Sequence, residues 1–163
     1  MNPSAIYGWL AHAVVFGALV SLLPLGAKRR HVGLAAVPLA LLAGIATLLH
    51  GFAGPPSATL LALAIWQLAC RGASPFGRRP AWLVIGFAVV FYPLALGLGP
   101  FDPYAIGYQP WSLLLACGAL AAMLSWCQRD DWLLILSLAL AGYAGGLFAN
   151  LWDALVDPLL VLA

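Results

Sequence analysis

The stretch WLLILSLALAGYAGGLFA, Trp132–Ala149, runs for 18 residues without a charge and then changes character at Asn150, Trp152 and Asp153, with Asp157-Pro158 just beyond. A bilayer core of roughly 30 Å takes about 20 apolar residues in helical form, so the run is long enough to cross one. Two of the chain's five carboxylates follow where it should emerge. A single helix from Trp132 to Ala163 would measure about 48 Å, too long for one upright span. The crossing is therefore expected to end near Leu151, with 153–163 lying along or folding back into the interface.

Composition points the same way across the 163 residues. Hydrophobic residues make up 64% and charged residues 7%, against about a quarter charged in a typical soluble domain. At roughly 20 residues per span plus connections, the length accommodates about five to seven helices. The expectation is an all-α integral membrane protein, one polytopic domain over residues 1–163, with about six transmembrane helices and short loops. The first apolar run precedes its basic cluster, the reverse of a cleavable signal peptide, and reads as a retained helix. A net charge of +2 without a basic, aromatic-interleaved stripe gives no reason to expect nucleic acid.

Six apolar runs can be drawn: Ala5–Leu25, Val32–His50, Ala58–Cys70, Ala81–Leu98, Trp111–Cys127 and the run from Trp132. Glycine and proline clusters separate several of them. All seven Lys and Arg residues (Lys28, Arg29, Arg30, Arg71, Arg78, Arg79 and Arg129) fall in alternate connections. Short basic loops stay cytoplasmic, so both termini should face outside, the periplasm of a bacterial inner membrane. Tryptophan agrees: Trp9, Trp111 and Trp152 fall near the outer boundary and Trp82, Trp126 and Trp132 near the inner one, as interfacial belts do. The third run is short, at about 20 Å. Either it borrows flanking residues, or the second and third runs form a re-entrant hairpin. Two true spans are the expectation.

Pro24, Pro38 and Pro93 interrupt runs and would kink helices. The small residues Ala139, Ala141, Gly142, Ala144, Gly145 and Gly146 suit close helix packing, which makes the sixth helix a candidate for the bundle centre. Cys70, Cys117 and Cys127 match no metal spacing and read as packing residues. Gln67 reads as a helix–helix hydrogen-bonding residue, and His31 as a solvated interface residue.

No ionisable Asp, Glu, Lys or Arg sits mid-run, which argues against proton- or ion-coupled transport. Nucleotide loops, HExxH, GxSxG and paired CxxC motifs are absent. The remaining polar groups gather toward the outer face. Asn150, Asp153 and Asp157 would share one face of a continued helix. Asp102, Tyr104, Tyr108 and Gln109 come from the fourth loop, His50 closes the second run, and His12 lies about 10 Å inside the first. An imidazole in the bilayer needs a hydrogen-bonding partner. Carboxylates plus imidazole could hold a divalent metal or serve acid–base chemistry on a lipid-linked substrate; the simpler reading is that the aspartates and prolines end helices. Haem ligation by His12 and His50 would need equal depth, and the counted depths differ by several ångströms. No cofactor or metal is expected.

Three roles fit. The first is a non-catalytic subunit or accessory factor of an envelope or lipid-handling complex, with membrane lipids and a larger membrane protein as partners. The second is a carrier or flippase-like facilitator of a lipid or small neutral solute. The third is an outer-leaflet enzyme using the Asp/His cluster. The balance is against an enzyme.

Overall fold

A computed structural model describes residues 3–70 and 77–162. Arg71 and the Arg79 side chain, two of the cations used to orient the chain, lie outside the described residues. All regular structure among the described residues is helical: α1 (Pro3–Ser21), α2 (Arg29–Leu42), α3 (Ile45–Ala53), α4 (Ala58–Ala69), α5 (Arg78–Ala95), α6 (Trp111–Trp126), α7 (Asp130–Ala144), α8 (Leu151–Leu155) and α9 (Pro158–Leu162). Short 3-10 turns at Gly26–Lys28 and Tyr104–Tyr108 join them. The all-α expectation holds. Among the described residues, α1 alone is long and apolar enough to cross a bilayer in one piece, and the bent α2–α3 pair would make a second.

The runs break where the backbone requires it. The second run is two helices, bent by 76°, because Gly44 takes a left-handed φ of 73° between them. The sixth run stops at Ala144, short of the expected end near Leu151. There Gly146, at φ 74°, lets Leu147 N–H reach Gly142 O at 3.1 Å and Gly146 N–H reach Tyr143 O at 2.9 Å, the paired bonds of a glycine-terminated helix. Pro24 falls beyond the end of α1, while Pro38 and Pro93 lie inside α2 and α5.

The centre of the bundle is α4 and not α7. Its buried Leu60, Leu63 and Leu68 form one cluster with Val15 and Ala18 of α1, Ile135 of α7 and Leu160 of α9. α1 and α2 make the closest helix pair: a Cβ on Gly17 would meet Gly33 O at 2.7 Å, and one on Gly33 would meet Gly17 O at 2.7 Å. Small residues allow that approach, and dispersion between the backbones holds it.

The two ends of the bundle differ. One, the basic end, brings Arg30 of α2 to Leu68 of α4, and Gln67 to Ser21 of α1. At the other, the aspartate end, Tyr7, His12 and the connection 54–57 come together, with Gly142 of α7 against Ala58. Pro56 and Ser57 are fully buried. The connection is thus drawn into the bundle to the level of Tyr7 and His12, and α4 is only about 18 Å long because it starts below the end of α1. The final residues fold back as well. Leu160, 4% exposed, reaches the main core, so the tail enters the bundle and does not lie along its edge.

Candidate functional site

Asp157 occupies the most constrained position. Its carboxylate, 8% exposed, has one oxygen accepting Leu160 N–H at 2.6 Å, which caps α9 with Pro158 at the first helical position. The other oxygen accepts the backbone N–H of Ser57. Ser57 in turn caps α4: its Oγ accepts Leu60 N–H at 3.1 Å. A carboxylate in apolar surroundings is costly unless its lone pairs are taken. Here two backbone donors take them, and the starts of two helices present their positive ends to the charge.

The same buried connection engages α1. Tyr7 Oη donates to Pro56 O at 2.9 Å, and His12 Nε2 lies 2.7 Å from Gly54 O. A carbonyl only accepts, so Nε2 carries the proton. The hydrogen-bond partner expected for His12 is therefore the connection after α3. His50 sits edge-on to His12, ring centroids 6.0 Å apart, a separation that leaves room for the expected difference in depth. The bend at Gly44 turns α3 toward α1 and sets His50 against Gly8, one turn from His12; a Cβ on Gly8 would collide with the His50 ring. His50 Nδ1 is buried without a hydrogen-bond partner.

Asp102, Tyr104, Asn150 and Asp153 form a second group, where the turn 104–108 meets α8. Asp102 Oδ1 accepts Tyr104 N–H at 2.9 Å at an exposed turn. Tyr104 Oη donates to both Asp153 oxygens, at 2.9 and 3.1 Å. Asn150, fully buried, donates from Nδ2 to Tyr104 O at 3.0 Å and accepts Trp152 N–H at 2.9 Å. Trp152 Nε1 donates to Pro103 O at 3.0 Å. Burial raises the Asp153 carboxyl above its ordinary range; the Tyr104 bond opposes this and the Asp157 charge adds to it. Burial, then the bond to Asp153, pushes the Tyr104 phenol well above its usual value.

The candidate residues therefore divide. His12, His50 and Asp157 surround the connection 54–57, whereas Asp102, Tyr104, Asn150 and Asp153 tie the fourth loop to the tail. The shared helical face expected for Asn150, Asp153 and Asp157 does not form: α8 ends at Leu155, and Val156 is extended. Gly107 fits against the Asn150 amide with no room for a Cβ. Tyr7, Ser57 and Trp152 join these groups without having been singled out as site residues. Ser57, a serine between Pro-Pro and an apolar run, is a legible cap signal. Among the described residues no three of His, Cys and Asp converge as metal ligands would.

A different feature lies alongside. Between α5, α6, α7 and the folded-back tail is a cleft of about 370 Å³. Phe87 of α5, Leu120 of α6, Ile135 of α7, and Trp152 and Leu160 of the tail wall it, with Thr59 among the few polar side chains. Comparison with protein families, characterised proteins and solved structures gives no match.

Proposed function

We propose that this chain is a multi-pass membrane protein, crossing with α1, α2–α3, α4, α5, α6 and α7, that holds an apolar lipid chain in the cleft without catalysing a reaction. Both termini lie on the aspartate side, outside a bacterial inner membrane. Large apolar side chains on the helix surfaces support a lipid surrounding: Phe52 is 94% exposed and Trp126 is 87% exposed, and patches of this kind are not sustained against water. The short helices fit the same reading. Non-helical backbone is tolerated at membrane depth where protein buries it, as at Pro56-Ser57 and along 156–160.

The observation that carries the function is the nearly uninterrupted apolar wall of the cleft. Its volume falls within the roughly 300–1,000 Å³ of ligand cavities. A linear acyl or isoprenoid chain suits a groove with this apolar lining. Tyr7, His12, Ser57, Asn150 and Asp157 spend hydrogen bonds on helix caps and loop carbonyls, which speaks against chemistry by them at the aspartate end. Such a protein would serve as an accessory to a larger lipid-handling complex.

The test is lipid retention. Wild-type protein, exchanged into a lipid-free detergent and extracted, should yield about one apolar-chain molecule per chain, while Leu120→Trp, which fills the cleft, should yield almost none. Equal yields from the two would overturn the proposal.

A further inference from the structure

The basic end carries an unbalanced charge. Of the described side chains, Lys28, Arg29, Arg30, Arg78 and Arg129 belong to it, with only Asp130 and Asp131 to offset them. Asp131 pairs with Arg129 at 3.0 Å, and among the described residues no carboxylate pairs with Lys28, Arg29 or Arg30. Beside these cations lies a second cavity, of about 320 Å³, between the α1–α2 turn and the last turn of α4. Ser21, Ala27, Arg29, Arg30, His31 and Gln67 wall it.

The walls are fixed by bonds that leave donors over. Arg30 Nε donates to Leu68 O at 2.7 Å, which anchors the guanidinium and leaves its two terminal nitrogens. Gln67 Nε2 reaches Ser21 Oγ at 3.5 Å, and Ser21 Oγ donates to Ala18 O at 2.6 Å. The cavity combines two guanidinium groups and an imidazole, none ion-paired among the described residues, with no acidic group in its wall.

We propose that this cavity binds a phosphate group, supplied by the headgroup of an anionic membrane lipid. Guanidinium forks match phosphate oxygens in paired, charge-assisted hydrogen bonds, and basic pockets between helices on the cytoplasmic side are suited to lipid headgroups. The site stands apart from the apolar cleft, on α1, α2 and α4, so loss of lipid from one leaves the other to be tested alone.

Native mass spectrometry of the full chain in neutral detergent tests it, with phosphatidylglycerol and phosphatidylcholine added in separate arms and inorganic phosphate in a third. Phosphatidylglycerol should bind at least about tenfold more tightly than phosphatidylcholine, the scale of one or two charge-assisted contacts. Arg29→Gln should remove that preference, and so should Ala27→Phe, which fills the cavity and leaves every charge in place. Arg78→Gln, elsewhere on the basic end, should keep it. Binding of inorganic phosphate that Ala27→Phe abolishes would support the phosphate chemistry with a soluble source. Equal loss in Arg29→Gln and Arg78→Gln, or an unchanged preference in Ala27→Phe, would reduce the site to diffuse surface charge and overturn the proposal. Arg29 does not carry the Leu68 bond, and an unchanged thermal midpoint for its variant separates lost binding from misfolding.

Discussion

Asp157 accepts the backbone N–H of Ser57, a residue 100 positions earlier, and so fastens the folded-back tail to the start of the central helix. One carboxylate caps α9 and holds the buried connection that precedes α4. Removing it strands the buried N–H of Ser57, at a cost of about 1–3 kcal/mol, and leaves Leu160 N–H only the longer bond to Asp157 O at 3.2 Å. Asp157→Ala should lower stability by roughly 1–3 kcal/mol and release the tail beyond Leu151 to protease, with Asp157→Asn milder because one amide oxygen remains. Thermal unfolding in detergent and limited proteolysis measure both effects; an undisturbed tail in Asp157→Ala would contradict the assigned role.

The approach of α3 to α1 depends on Gly8, whose missing side chain makes room for His50. Gly8→Ala should destabilise by about 1–3 kcal/mol, as overpacking does. His50→Ala in the same chain should recover most of that loss, because the clash needs both side chains. The coupling is read from a double-mutant cycle of thermal stabilities; additive effects would place the clash elsewhere.

Asp153 gives a dependence on acidity with a definite sign. Burial raises its carboxyl above the ordinary 3.8, the Tyr104 bond pulling down and Asp157 pushing up. A raised folded-state value means that its contribution is complete below the unfolded value and is lost as pH rises through the folded one. Asp153→Asn cannot lose a proton. The midpoint of wild type relative to Asp153→Asn should therefore fall as pH rises from about 4 toward neutrality. Thermal scans of both proteins across that range provide the check, and a difference that grows with pH would reverse the sign.

The three cysteines report topology without further engineering. Cys70 and Cys127 are exposed and Cys117 is buried. Cys70 and Cys127 should resist an impermeant maleimide in intact cells and react once the membrane is opened, since both follow spans that end at the basic end. Labelling of either from outside would contradict the orientation. Cys117, in the wall of the cleft, should react only with membrane-soluble reagents.

The sequence makes the helical class legible through its apolar runs, and α6 begins at Trp111 as its run does. What it hides are places where one residue type serves two purposes. Gly145-Gly146 reads as small-residue packing and also as a helix stop; the left-handed backbone at Gly146 makes the stop decisive, and the common face of Asn150, Asp153 and Asp157 is lost further on, where Val156 is extended. The meeting of His50 with His12 is hidden too, because spacing along the run does not announce the bend at Gly44. Asp157-Pro158 and Ser57 are local cap signals, but nothing local says that one caps the other's helix. The cleft is less legible still, since no single run encodes a gap between α5, α6 and a returning tail.

A photoreactive lipid bearing a diazirine on its acyl chain tests the central claim most directly. Irradiated with the protein in bilayers and mapped by mass spectrometry, the label should concentrate on Phe87, Leu120 and Ile135 and disappear from them in Leu120→Trp. Labelling spread evenly over the exposed faces of α5 and α6, and unchanged by Leu120→Trp, would contradict a lipid chain held in the cleft.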